Sequence, residues 1–356
     1  MLSHKAKQDK VVRATDLDAL SCRYSAEQKG YFLPRDEFIS DLIKSYDRNL
    51  TYGEGYTQLS AGRTLRASFK DGKFPLINRG TYFRTVAVNR VVDEFVGGYP
   101  SVQIVSLGGG SDTRCFRVLE KYQNVKYVEI DFPESVKIKK LAISQNPILQ
   151  KIVGSQLDPL IVESKEQLAN MDSDLHTDRY HLLGFDLRGL SVLGEKKLDF
   201  LDRTVPTLVI SECVLCYLTP EDNEMVLKFW KEYLARVSIL VYEPMGLGDA
   251  FGETMALNLL NRGIDLQTFH KYPNLKSRQQ HYSSLGFTVK LTDMALMGGY
   301  SDVGSSWIDA KEHARVSRLE MIDEIEEIRL LLQHYCLIYA EAGGTLEPVL
   351  QLRWFL

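Results

Sequence analysis

From residue 102 onward the chain alternates short apolar runs with helical stretches, and that alternation constrains the fold more than any other feature. Val102–Leu107, Lys126–Ile130, Tyr180–Phe185, Thr207–Ser211 and Ile239–Tyr242 have the length and the β-branched or aliphatic content of strands. Helical spacing fills Thr113–Tyr122, Ser135–Ser144 and Glu221–Val237 between them. Strands that are apolar throughout and separated by helices form a parallel sheet covered on both faces. Phe287–Leu291 and His334–Glu341 predict two late strands, separated by an acidic helix over Arg318–Gln333. The fold class expected is therefore α/β.

The region ahead of the sheet has a different texture. Residues 14–50 carry helical spacing, with Leu17, Leu20 and Tyr24 on one face and Phe38, Leu42 and Ile43 further on. Thr51–Asn78 is polar and holds Gly-Glu-Gly and Asp-Gly-Lys-Phe-Pro, which reads as a loop or flexible lid. Thr81–Val96 reads as a helix stopped by Gly97-Gly98 and Pro100. Residues 1–10, charged and without a hydrophobic period, read as a disordered tip. Two parts are expected: an N-terminal helical lid over 1–100, and the sheet domain over 101–356 with a C-terminal helical insertion and terminal strands.

Composition excludes several function classes. A net charge of −4 argues against a general nucleic-acid binder, which needs clustered Lys and Arg to neutralise phosphates. Five scattered cysteines form no disulfide framework and suit a reducing compartment. Met1–Arg13 is polar, with no apolar region behind its charges, and no run approaches the ~18–20 apolar residues of a membrane span. The expected location is the cytoplasm or nucleus, without a membrane partner, and the chain is expected to be a monomer. Cys213-x-x-Cys216 has no second such pair and the seven histidines form no HExxH, so no metal is expected.

The first strand runs into Gly108-Gly109-Gly110 and then a helix. Glycine suits a sharp turn or the close approach of a ligand, and alone the run is equally a plain tight turn. Asp131 closes the next apolar run roughly 20 residues on, placed to accept hydrogen bonds from ribose hydroxyls. Position 113 is Thr where a dinucleotide fingerprint has its third glycine, which weakens a nicotinamide or flavin reading. Asp186 and Glu212 close two further strands. Each could be a helix cap by itself, but three acids at three strand tips favour a shared nucleoside site. With the late strand pair, the balance favours a Rossmann-like S-adenosylmethionine-dependent methyltransferase sheet.

Several stretches resemble the leucine carboxyl methyltransferases: Asp18-Ala-Leu-Ser-Cys-Arg, Ile77-Asn-Arg-Gly-Thr-Tyr-Phe-Arg84, Ile104-Val-Ser-Leu-Gly-Gly-Gly-Ser-Asp-Thr, Lys126-Tyr-Val-Glu-Ile-Asp-Phe-Pro133 and Pro206-Thr-Leu-Val-Ile-Ser-Glu-Cys-Val-Leu-Cys-Tyr217. Tyr242-Glu-Pro, Gly248-Asp-Ala-Phe-Gly252 and His334-Tyr-Cys follow in order, so the likeness runs from about residue 14 to 344. The resemblance implies S-adenosylmethionine as cofactor and the C-terminal leucine of type 2A protein phosphatase catalytic subunits as acceptor. It implies that Arg84 binds the methionine carboxylate, Arg23 closes over it from the lid and Gly108 backs the methionine. Asp131 would hold the ribose, Asp186 with the Leu187 backbone the adenine, and Glu212 the methionine ammonium. The family usually shows Gly-Ala-Gly in the loop; Gly109 here suggests a looser turn. A terminal carboxylate, with a pKa of about 3.3–3.7, is already an anion, so no general base is expected. Tyr217 and Tyr242 are candidates for orienting the acceptor, and as amphipathic aromatics are equally suited to the core. The family's other branch methylates a hypermodified guanosine of tRNA and usually carries a β-propeller extension; no ~50-residue repeat is present here. A small-molecule O-methyltransferase is a further alternative.

Overall fold

The computed structural model describes residues 4–192, 197–302, 306–344, 349 and 352–356. Eight strands form one sheet: β1 (Val102–Leu107), β2 (Val125–Asp131), β3 (Leu175–His176), β4 (Tyr180–Gly184), β5 (Thr207–Glu212), β6 (Val237–Pro244), β7 (Thr288–Asp293) and β8 (Tyr335–Ala342). Their spatial order is β3-β4-β2-β1-β5-β6-β8-β7. The central five, β4 to β6 in that order, are mutually parallel, while β8 runs antiparallel between β6 and β7. The chain steps from β1 to β2 on one side and reaches β5 on the other, so strand order reverses at the tip of β1. Ligands of open α/β sheets bind beyond the carboxyl ends of the strands at such a point.

Four helices precede the sheet: α1 (His4–Gln28), α2 (Ile39–Asn49), α3 (Gln58–Phe69) and α4 (Pro75–Gly97). Between strands come α5 (Arg114–Lys121), α6 (Pro133–Ser144), α7 (Pro147–Val153), α8 (Lys165–Asn170) and α9 (Pro220–Tyr233). After β6 lie α10 (Ala250–Asn261), α11 (Gln267–Lys271) and α12 (Leu275–Ser284); α13 (Met294–Gly298), α14 (Ala310–Ser317) and α15 (Ile325–Gln333) separate β7 from β8. One core lies between the sheet and α4, α5 and α6, where Val88, Val91, Val92 and Phe95 are wholly buried with Ile104, Tyr127 and Phe116. A second, around Val105, Val128, Val209, Val226 and Trp230, fills the other face. The sheet is thus covered on both sides, as its unbroken apolar strands require.

Four local expectations are corrected. Residues 4–10 are the first turns of α1, and Asp9 is anchored by Arg188 at 2.9 Å; residues 1–3 lie outside the described residues. The predicted loop 51–78 holds α3, started by a reciprocal Thr57–Ser60 capping box, and Pro75 already opens α4. The helix predicted to Val237 ends at Tyr233, because Leu234 turns extended and Val237 enters β6. The acidic helix begins at Ile325, not Arg318, since residues 318–324 form a polar connection whose Glu320 accepts hydrogen bonds from Asn78 and Arg79. No helix among the described residues is long and apolar enough to cross a membrane.

Candidate active site

The tips of β1, β2, β4 and β5 open into a cavity of about 760 Å³, roofed by α1 and the start of α4. Every residue singled out from the sequence lines it: Arg23, Arg84, Gly108, Asp131, Asp186, Leu187, Glu212, Tyr217 and Tyr242. The turn after β1 explains two of its glycines. Gly108 has φ +60°, and a Cβ there would lie 2.5 Å from the Val214 side chain. Gly110 has φ +42°, and a Cβ would meet the Asp16 carboxylate at 2.4 Å. Gly109 has an ordinary φ; what it lacks is room, because a Cβ would sit 2.9 Å from Glu129 Oε1. The turn is therefore tight and braced, in place of the looser one expected. The brace is a buried network in which Lys139 Nζ donates to Glu129 at 2.8 Å and to the Asp112 carbonyl at 2.6 Å, and the Tyr180 hydroxyl donates to Glu129 at 2.5 Å.

At the β5 tip, Glu212 accepts from Arg84 Nε at 2.5 Å and from Arg114 Nη2 at 2.8 Å. Burial alone would raise the Glu212 pKa, but Arg114 and Arg84 outweigh it and hold the carboxylate below its usual range. The Arg84 guanidinium lies over the Tyr242 ring at 5.2 Å, and that ring stacks on Tyr335 with centroids 5.3 Å apart. Arg114 also pairs with Asp112, whose other oxygen takes Arg23 from α1. Burial again opposes ionisation of Asp112, and Arg114 and Arg23 keep it ionised far below the ordinary value. Arg23 further bonds Asp36 at 2.7 Å and Thr113 at 2.8 Å, so it clamps α1 to the loop.

At the β2 tip, Asp131 accepts the Gly110 and Phe132 amides at 2.7 and 2.6 Å. Beside it Asp16 of α1 accepts the Ser111 amide at 2.7 Å and the Ser111 and Tyr46 hydroxyls. Burial and then the Asp16 charge push Asp131 up to about 7. Asp186 is forked by Arg188 at 2.7 Å, which also holds Asp9. Leu187 opens the short turn that follows, nearly buried. Burial raises the Tyr217 hydroxyl above the ordinary value.

Sequence reasoning missed Arg114, Asp112, Asp16 and Tyr335. Arg114, 2% exposed, directly follows the Ser-Asp-Thr of the loop, and an Arg in the first turn of a helix beside a strand-tip acid was the available signal. Arg79 and Arg90, near Arg84 in sequence, lie elsewhere: Arg79 caps the Val316 and Glu320 carbonyls and Arg90 the Trp307 carbonyl. No three His, Cys, Asp or Glu residues among those described form a metal cluster, and Cys213 and Cys216 are free thiols.

This geometry, with a strand-order reversal, an amide-lined glycine turn and a carboxylate at each neighbouring tip, agrees with a match of residues 11–231 to the family model described as leucine carboxyl methyltransferase. The chain belongs to that family. It is 51% identical over the full length of both chains to leucine carboxyl methyltransferase 1 of Debaryomyces hansenii. To the protein of the same name from Candida albicans it is 52% identical, covering 96% of this chain and 95% of that one. Among solved structures, the plantazolicin methyltransferase BamL, in complex with a desmethyl analogue and SAH, aligns over 86% of this chain and all of its own, with 9% identity and a TM-score of 0.40. As a leucine carboxyl methyltransferase the chain takes its methyl group from S-adenosylmethionine. Its site fits that donor. The Arg84–Glu212 ion pair presents one cation and one anion side by side, the complement of an amino-acid carboxylate and ammonium.

Proposed function

We propose that this leucine carboxyl methyltransferase acts on the C-terminal leucine carboxylate of type 2A protein phosphatase catalytic subunits. The observation that carries the cofactor half of this reading is the Arg84–Glu212–Arg114 cluster at the tip of β5. Arg84 binds the methionine carboxylate, Glu212 the ammonium, and Gly108 backs the chain between them. Asp131 holds the ribose hydroxyls, and Asp186 with the Leu187 backbone faces the adenine. Arg23, held by Asp112 and Asp36, closes over the methionine carboxylate from α1. When bound, S-adenosylmethionine supplies an electrophilic sulfonium methyl.

The acceptor carboxylate is ionised at neutral pH, so the protein has no proton to remove and its task is positioning. Holding the reactants at attack distance contributes up to about 7–11 kcal/mol when orientation is good. Anion and cation neutralise each other as the methyl moves, so a drier site favours the step. Tyr242, fixed between Arg84 and Tyr335, and Tyr217, which lines the same cavity, orient the acceptor and keep water away.

The test supplies methyl-labelled S-adenosylmethionine and a type 2A phosphatase catalytic subunit. Alkali-labile label should appear on the subunit and vanish when its terminal leucine is deleted. Label on the truncated subunit, or on tRNA in its place, overturns the proposal.

A further inference from the structure

Seven basic residues line the cavity. Six are arginines, and carboxylates hold all of them: Arg13 by Glu134, Arg23 by Asp36 and Asp112, Arg84 and Arg114 by Glu212, Arg188 by Asp186, and Arg262 by Asp18. The seventh is Lys73. Its ammonium has no hydrogen-bond or ion-pair partner among the described residues, although its backbone is tied down on both sides. The Lys73 amide donates to Ser25 Oγ of α1 at 2.8 Å, and the Lys73 carbonyl accepts from Asn78 of α4 at 3.0 Å. Pro75 then starts the helix at once. A half-buried cation on a pinned backbone, facing a cavity in which every other cation among the described residues is neutralised, is placed to pair with an anionic group of a ligand.

Its place in the cavity identifies which anion. Ile77, Gly80, Thr81 and Arg84 form one stripe along the start of α4, and Lys73 lies just ahead of it, all lining the cavity. Ile77 is 37% exposed and Leu331 packs beside Gly80, so the wall between the two cations is largely apolar, with the Thr81 hydroxyl its one polar side chain on this stripe. Cys22 of α1 lies alongside: burial raises its thiol pKa, and Lys73 and then Arg84 pull it down, so both cations reach the same wall. Nine residues of helix separate Pro75 from Arg84, about 13 Å of axis. That is too far for one carboxylate to engage both ends. An extended peptide advances roughly 3.3 Å per residue, so a chain whose terminus reaches the cofactor held by Arg84 passes Lys73 about two to four residues earlier.

We propose that Lys73 is a specificity residue for the acceptor, binding an acidic side chain two to four positions before the methylated leucine. This inference rests on the peptide-terminus reading above. It makes the start of α4 the track along which the tail lies, with Arg84 at the reacting end and Lys73 at the mouth.

The experiment uses the intact enzyme and a type 2A phosphatase catalytic subunit whose tail carries Asp, Asn or Lys at each of those positions, the leucine being kept. With the natural enzyme, Asp at one position should give a KM about ten-fold below Asn, and Lys the poorest acceptor. Lys73→Gln should abolish the difference, Lys73→Arg should retain it, and Lys73→Glu should reverse the order in favour of the Lys tail. Affinity for S-adenosylmethionine, measured by calorimetry, should stay the same in all three variants, which a general disturbance of the fold would not allow. Equal KM for all tails with the natural enzyme, or an unreversed order with Lys73→Glu, overturns the assignment while leaving the terminal-carboxylate reading intact. Transfer to none of the leucine-terminated tails overturns both.

Discussion

At the scale of single residues, the site is held by charges that cannot lose a partner cheaply. Arg114 is the pivot, because it alone joins Asp112 of the loop to Glu212 of β5. Replacing it with Met leaves two buried carboxylates each short of a cation, a loss of about 3–5 kcal/mol. Urea denaturation should show that loss, and calorimetry should show weakened S-adenosylmethionine binding. Asp131 predicts a pH dependence. Its pKa is raised above the ordinary 3.8 to about 7, by burial and then by Asp16, so the folded apo-protein holds a proton that the unfolded chain releases. The sign follows: this group's contribution to apo-protein stability is greatest below about pH 4, declines as pH rises, and is gone above about pH 7. Ribose hydroxyls donate to the ionised form, so cofactor binding should tighten between pH 6 and 8 with a midpoint near 7. Titration calorimetry across that range checks it, and Asp16→Asn should move the midpoint to lower pH.

At the scale of elements, the glycine turn is legible in the sequence as a turn but not as a braced one. Nothing in Gly108-Gly109-Gly110 says that Glu129, Lys139 and Tyr180 converge beneath it, because those residues come from β2, α6 and β4 and meet only when the strands pair. The brace predicts that Gly109→Ala destabilises this chain. Its Cβ meets the Glu129 carboxylate at 2.9 Å, and a Lys139-bound acid has little freedom to retreat, so about 1–3 kcal/mol should be lost in thermal unfolding. An unchanged melting temperature would mean that the network shifts freely. The same reasoning explains why residues 4–10 read as disordered. Their order comes from Asp9 meeting Arg188, a contact 179 positions away in sequence. The error over 51–78 has a local cause: Gly55 and Gly72 flank α3 and masked a helix whose Thr57–Ser60 box was visible.

At the scale of the whole molecule, α1 adds Leu17, Leu20 and Ala26 to the core and is tied to the cavity rim by polar groups. Asp9, Asp16 and Arg23 reach Arg188, Ser111 and Asp112 respectively. All three contacts lie at the cavity rim, so a ligand that fills the cavity should tighten them together. Saturating S-adenosylmethionine at about 100 times its Kd should stabilise the fold by about 2.7 kcal/mol and slow amide exchange along α1. Arg84→Ala should lose most of that stabilisation while the ligand-free melting temperature changes little, since Glu212 keeps Arg114. An undiminished thermal shift in that variant would refute the role assigned to Arg84.

Period and composition by themselves determined the alternation of strand and helix, the strand tips carrying Asp131, Asp186 and Glu212, and the class of ligand such tips receive. Those signals are local, spaced at two or three to four residues or set at the end of an apolar run, and so survive in a linear reading. Only the tertiary structure decided who faces whom. It tied Arg23 to Asp112 and Asp36, put Arg114 and Tyr335 into the site, and left Lys73 as the one unpaired cation among the described residues of the wall. The physical reason is that ion pairing depends on through-space distance over a few ångströms. The partners here, separated by 89 positions for Arg23 and Asp112 and 128 for Arg84 and Glu212, are brought within that distance by the order of the strands.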